Sequence, residues 1–278
     1  MTNQLAPHQS QCVAFIGGGN MATAIIGGLL RQGMPAASIE VVEPFDEARS
    51  KLQSSFGIAA QAQASAALNR AQLVVWAVKP QAFKEAAAQA RPHTARALHL
   101  SVAAGIRSVS IAQWLGTERI VRSMPNTPAL VGKGMTALFP GPAVTAADRA
   151  AVEQVIRTTG DCLWVAREED LDAVTALSGS GPAYVFFFLE AMTAAGVEMG
   201  LPREQAYQLS LGTFAGAAEL ARTSDDPPEV LRQRVTSRGG TTHAAISAME
   251  QDRVQGLFIR ALHAARTRAR ELGDEFGA

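Results

Sequence analysis

The sequence predicts an α/β N-terminal domain built on a mostly parallel sheet, followed by an all-α domain. From residue 12 to about 165, short apolar runs alternate with alanine-rich amphipathic stretches, the pattern of buried strands and crossover helices. After residue 171 the chain turns Ala- and Leu-rich, with Gly or Pro at the edges of each stretch and no alternating β-branched run, which marks helices. Near the start, an apolar strand leads directly into a glycine-rich turn and a helix. The 278 residues are 47% hydrophobic, enough for two modest cores. The expected division is a lead-in over 1–11, an α/β domain over 12–166 and a helical domain over 167–278.

Taken in order, the lead-in MTNQLAPHQSQ has no basic segment followed by an apolar run, so no secretory signal is expected in it. Strands are expected at 13–16, 39–42, 73–77, 98–102, 120–123 and 135–139. In the helical half, Pro182 suits the first turn of a helix and Ser180 is placed to cap it. The helix that follows, AYVFFFLEAMTAAGVEMG, is apolar on nearly every face and needs burial all round. A second copy of the chain would provide that. This helix and the next, with small residues at Gly212 and Gly216, are therefore expected to pack in a homodimer, the alternative being an internal bundle helix. Glu190 and Glu198 interrupt the stretch 182–199, which favours a buried helix over a membrane span. Residues 224–228 read as a turn into a further helix.

Twenty-five basic and 25 acidic residues give a net charge of zero, and no electrostatic reason to expect nucleic acid or an anionic membrane as partner. Small molecules are the expected ligands. Cys12 and Cys162, the only cysteines, lack metal-ligand spacing and suit buried positions in a reducing cytoplasm.

In VAFIGGGNMATAIIGGLL, Gly17, Gly19 and Ala22 have the spacing G-x-G-x-x-A between a strand and a helix. Gly17 permits the tight turn, Gly19 lets backbone approach a pyrophosphate, and Ala22 keeps the helix close to the strand. The helix N-terminus, with Asn20 and Met21, offers N–H groups to the phosphates. This is a Rossmann dinucleotide-binding turn, and it implies a nicotinamide-dependent oxidoreductase. Glu43 closes the second strand, where an acid usually accepts from the adenosine ribose and disfavours a 2′-phosphate. Arg49 nearby is suited either to a phosphate or to solvent, so the turn leaves the nucleotide open.

Further segments fall where strand ends should line a cofactor crevice: AVKPQ, SVAAGI, RSMPNTPA and LSGSGPAYVF, with VTSRGGTT among the C-terminal helices. Together with IGGGNMA, in this order and spacing, they make the chain resemble pyrroline-5-carboxylate reductase along almost its whole length. The resemblance implies reduction of L-1-pyrroline-5-carboxylate to L-proline by hydride transfer from NADPH or NADH. It also implies a helical dimerisation domain, an active site shared between subunits, and dimers that can assemble into larger rings. Glu43 and the family's usual NADPH preference pull in opposite directions.

In VTSRGGTT, Gly239 and Gly240 precede Thr241 and Thr242 at a helix start, where N–H groups can form an anion nest fit for a carboxylate. By resemblance, Ser237 and the N–H groups of Gly240 and Thr241 hold the substrate carboxylate, and the Thr242 hydroxyl meets the ring nitrogen. Ser237 and Thr241 would equally suit plain helix caps. Arg238 departs from the family, which commonly has proline there. On the cofactor side, Ala77 ends the third expected strand, and Lys79 and Pro80 follow it near the nicotinamide ribose or phosphates. Ala104 and Gly105 offer a small-residue surface beside Ala103, and Asn126 supplies polar groups under the nicotinamide.

No lysine follows Lys133, which argues against a hydroxyacid dehydrogenase needing a base on its interdomain helix. An iminium is already electrophilic and needs orientation more than a strong base. A non-catalytic NAD(P) sensor would have no need of the second anion turn. His243 follows Thr242 but lies about 100° round the helix from it. His8, His93, His99 and His263 have no suitable neighbours, and no metal site is expected.

Overall fold

The computed structural model describes residues 12–277; the expected lead-in over 1–11, with His8, lies outside them. The chain forms two compact units, one running to Ser180 and resumed from Ala265, the other spanning Gly181–Ala264.

The first unit is a seven-stranded sheet in the order β2-β1-β3-β4-β5-β6-β7. Its strands are β1 (Val13–Ile16), β2 (Ile39–Val42), β3 (Leu73–Trp76), β4 (Leu98–Ser101), β5 (Ile120–Met124), β6 (Gly134–Pro140) and β7 (Gly160–Trp164). All pair in parallel except β5 with β6. VAFI and LVVW are buried at every position because helices cover both faces. Those helices are α1 (Asn20–Arg31), α2 (Asp46–Phe56), α3 (Pro80–Thr94), α4 (Ser108–Leu115) and α5 (Ala146–Ile156).

On one face Val13 and Phe15 pack with Ile25, Ile26 and Leu29 of α1. Here Gly28 lets α1 approach the loop after α5, since a Cβ would stand 2.7 Å from the Thr158 carbonyl oxygen. On the other face Trp76 stacks on Phe83 of α3, ring centres 4.8 Å apart. The Trp76 indole N–H donates to His99 Nδ1 at 3.0 Å, and burial pulls the His99 pKa down to about 4. With β1 between β2 and β3, the chain reverses its winding direction there, and the carboxyl ends of β1 and β3 open a crevice.

Six strands lie where the sequence placed them, to within a residue or two. The seventh, β7, is not among the expected strands: GDCLW opens with Gly160 and Asp161 and is nowhere fully buried, as an edge strand allows. Cys162 sits on it half-buried rather than buried, whereas Cys12 is enclosed as expected.

The segment from 167 opens the expected helical domain, and Glu168, Asp172 and Ser178 tie it to the sheet and its loops. Glu168 accepts from the buried Arg122 guanidinium of β5 at 2.6 Å and from Ser108 N and Oγ. Arg107 pairs with Asp172 at 3.0 Å, on the short helix α6 (Asp170–Val174). Burial lowers the Arg122 pKa, with Glu168 opposing. For Glu168, burial works upward but is outweighed by Arg122 and Ser108, which hold it below the ordinary carboxylate value. A wide, π-type turn follows at Thr175–Gly179. Ser180 keeps right-handed helical angles, its N–H bonded to the Thr175 carbonyl at 2.8 Å. It therefore continues the helical path rather than breaking it as the expected cap would.

The second unit contains α7 (Gly181–Glu198), α8 (Arg203–Thr223), α9 (Pro228–Arg234), α10 (Thr241–Gln251) and the start of α11 (Val254–Phe276). Pro182 lies in the first turn of α7, as expected. Gly196 brings α7 against α8, where an added Cβ would stand 2.7 Å from the Ala206 Cβ. Tyr184 and Phe188 meet Phe258 edge-on, at 5.7 and 5.6 Å. One face of α7 and α8 is left uncovered: Phe186, Phe187, Leu209 and Leu220 are all more than half exposed, and a Cβ at Gly212 or Gly216 would meet open space. Burial all round is thus not achieved within one chain. Among the described residues no helix is long and apolar enough to cross a membrane.

Candidate active site

The first half of the site grows from the end of β1. Gly17 has φ +97°, and a Cβ there would stand 2.6 Å from the Ala77 carbonyl oxygen, so the turn closes against the end of β3 only with glycine. Its N–H donates to the Val42 carbonyl at 2.8 Å, and Ala77 N–H to Ile16 at 2.8 Å. Gly19 begins α1 with no side-chain cap, and a Cβ on it would meet nothing within 4 Å. The fold therefore does not need glycine at 19. Bare backbone beside open space is what a pyrophosphate requires, with Asn20 and Met21 at the uncapped helix start. Ala22 is fully buried, as its spacing role demands.

Glu43 departs from its expected role. It is 5% exposed; Oε2 accepts from Gly18 N–H at 2.7 Å and Oε1 from Phe45 N–H at 2.9 Å. The carboxylate thus braces the glycine turn from inside rather than presenting an acceptor to a ribose. Arg49 is also engaged, donating to the carbonyls of Glu43 and Pro44 at 2.9 and 2.7 Å and pairing with Asp46.

Lys79 and Pro80 begin α3, Pro80 at its first position and Lys79 exposed without a capping bond. Ala104 is exposed, but Gly105 is held at φ +73° with Leu272 Cβ 3.3 Å from where its own Cβ would be. Gly105 therefore accommodates the end of α11, a packing role the sequence pattern did not suggest. Asn126 is engaged at both ends of its carboxamide. Nδ2 donates to the Ser178 carbonyl and hydroxyl at 3.3 and 3.2 Å, and Oδ1 accepts from Met135 N–H at 2.9 Å. It clamps the wide turn of LSGSG to the turn after β5, and does not offer free polar groups.

The second half lies in the helical unit. Gly239 has φ +78°, and Gly240 N–H donates to the Ser237 carbonyl at 3.0 Å, forming a tight turn that delivers the chain to α10. A Cβ on Gly240 would stand 2.8 Å from Ser237 Oγ. Gly240 is the cap position of α10 and no side chain caps it, so the reading of Ser237 and Thr241 as plain caps fails. Ser237 and Thr241 are exposed and Thr242 half-exposed at an uncapped helix start, which leaves N–H groups and hydroxyls for an anion. Arg238 and His243 are exposed. Among the described residues no three His, Cys, Asp or Glu side chains come together as a metal site.

Two family models match: "NADP oxidoreductase coenzyme F420-dependent" over residues 12–105, and "Pyrroline-5-carboxylate reductase dimerisation" over 168–272. A pyrroline-5-carboxylate reductase of Pseudomonas aeruginosa is 44% identical over 267 residues, covering 95% of this chain and 98% of its own. The chain belongs to the pyrroline-5-carboxylate reductase family. The pea (Pisum sativum) pyrroline-5-carboxylate reductase is 38% identical over 95% of this chain and 96% of its own. Among solved structures, a pyrroline-5-carboxylate reductase from Coxiella burnetii superposes with a TM-score of 0.89 at 37% identity, over 95% of this chain and 98% of that one. A Plasmodium falciparum pyrroline carboxylate reductase, solved with NADP bound, gives 0.85 at 27% identity, over 96% and 100%. Pyrroline-5-carboxylate reductase membership thus extends across both units.

Proposed function

We propose that the protein reduces L-1-pyrroline-5-carboxylate to L-proline, the last step of proline synthesis, with NADPH as donor and NADH as the alternative. The observation that carries this is the pairing, in one chain of this family, of two uncapped glycine turns with different tasks. At Gly19 bare backbone meets open space and fits a dinucleotide pyrophosphate; at 237–242 hydroxyls and N–H groups fit a small carboxylate.

Gly17, Gly19, Asn20, Met21 and Ala22 hold the phosphates, with Lys79 and Pro80 toward the ribose. When bound, the dihydronicotinamide supplies a hydride to the carbon of the substrate C=N bond. The nitrogen gains a proton, and the product is the secondary amine. Ser237 and the N–H groups of Gly240 and Thr241 hold the carboxylate, with Gly239 supplying the left-handed bend. The Thr242 hydroxyl hydrogen-bonds the ring nitrogen and relays its proton from water. Orientation supplies most of the rate, consistent with a chain that has no lysine after Lys133.

The functional unit is a homodimer through the exposed apolar faces of α7 and α8, and dimers assemble into a ring. The protein works in the cytoplasm, where Cys12 and Cys162 stay as thiols. Consumption of NADPH on addition of pyrroline-5-carboxylate, but not of 2-keto acids, tests the activity. Light scattering in solution tests the assembly.

A further inference from the structure

Resting on the reading that the first unit holds a nicotinamide dinucleotide, we propose that Lys51 binds the 2′-phosphate of its adenosine end, so that nucleotide preference is set from α2 and not by the acid that closes β2. The two residues expected to decide it are both committed elsewhere. Glu43 is enclosed, with each oxygen on a backbone N–H, so it neither accepts from a ribose hydroxyl nor presents open charge to a phosphate. Arg49 is turned onto two backbone carbonyls and Asp46.

Between the glycine turn and α2 lies a cavity of about 320 Å³, lined among others by Gly19, Asn20, Phe45, Glu47 and Lys51. It opens directly from the backbone that fits the pyrophosphate, and its size suits the end of a nucleotide. Phe45 is held by its N–H on Glu43 yet leaves its side chain 72% exposed, a flat surface on which a purine can stack. Lys51 is exposed and is the one cation lining the cavity, and no described carboxylate pairs with its ammonium. Glu47, one turn earlier on α2, is the one acid there. A ribose diol would draw on Glu47, whereas a phosphate dianion needs Lys51. With Glu43 withdrawn, the charge that would reject a 2′-phosphate is reduced to an exposed carboxylate one turn from a free ammonium, and the balance favours the phosphate.

Calorimetric titration of the full chain with NADP+, NAD+, adenosine 2′,5′-bisphosphate and 5′-AMP tests this without turnover. Lys51→Gln should weaken NADP+ and the bisphosphate about tenfold, the loss of one charge-assisted bond, while NAD+ and 5′-AMP shift less than about twofold. Lys51→Arg should retain NADP+ binding. Equal losses for both nucleotides, or unchanged NADP+ binding in Lys51→Gln, would overturn the proposal. So would a loss of NAD+ binding in Glu47→Gln beside undiminished NADP+ binding in Lys51→Gln. Wild-type protein that binds NADP+ through Lys51 but does not reduce the imine would reject the reaction and leave this assignment standing; failure to bind either nucleotide would reject both.

Discussion

Gly18 N–H donates to Glu43 Oε2 at 2.7 Å, tying the glycine turn after β1 to the end of β2. The acid at the position that normally meets a ribose is here part of the turn itself. Glu43→Ala strands the buried Gly18 amide and takes the partner from the Phe45 amide, and should destabilise the protein by about 2 kcal/mol in urea unfolding. NADP+ and NAD+ affinities should fall together, because the turn that holds the pyrophosphate loosens. A selective gain for NADP+ would mean that Glu43 acts on the 2′ position after all.

Thr242→Val removes the hydroxyl at the uncapped start of α10 but keeps the shape of the side chain. Turnover should fall about tenfold to a hundredfold, in keeping with a lost positioned proton relay, while NADP+ binding stays unchanged. Steady-state rates beside a nucleotide titration separate the two. Wild-type turnover would remove Thr242 from the ring-nitrogen contact.

The uncovered faces of α7 and α8 predict an assembly dependence. Phe187→Asp places a charge on a side chain that is 66% exposed in one chain, so the subunit should still fold. Light scattering should then report monomers at concentrations where the wild type is oligomeric. Undisturbed assembly would exclude this face from the interface.

His99 sets a pH dependence. Its folded pKa, pulled down by burial to about 4 from 6.5, keeps it neutral while an unfolded chain takes up a proton. The stability it contributes is complete above about pH 6.5 and is lost as pH falls toward 4, at up to about 1.4 kcal/mol per pH unit. Denaturant melts followed by tryptophan fluorescence should show this slope in the wild type and a shallower one in His99→Gln. Equal slopes would assign the loss to other groups.

The strands VAFI and LVVW were legible because a parallel strand covered on both faces needs an unbroken apolar run. GDCLW was not, since an edge strand is asked to hide little. The ion pairs of Glu168 and Asp172 with Arg122 and Arg107 were not legible either, since neither periodicity nor spacing brings residues so far apart in the chain together. Spacing located Glu43 and Asn126 but not the partners of their oxygens. Gly17 shows a different limit: its position is plain in the sequence, and only the 2.6 Å approach of an added Cβ to the Ala77 carbonyl oxygen reveals that the turn excludes any larger residue.

The two glycine turns together predict that one chain brings an imine and a reduced nicotinamide nucleotide to hydride transfer. Following NADPH absorbance as L-1-pyrroline-5-carboxylate is added, with proline quantified at the end point, tests it most directly. One proline formed for each NADPH consumed, with no consumption on 2-keto acids, is the predicted result. Tight NADPH binding without proline formation would contradict it.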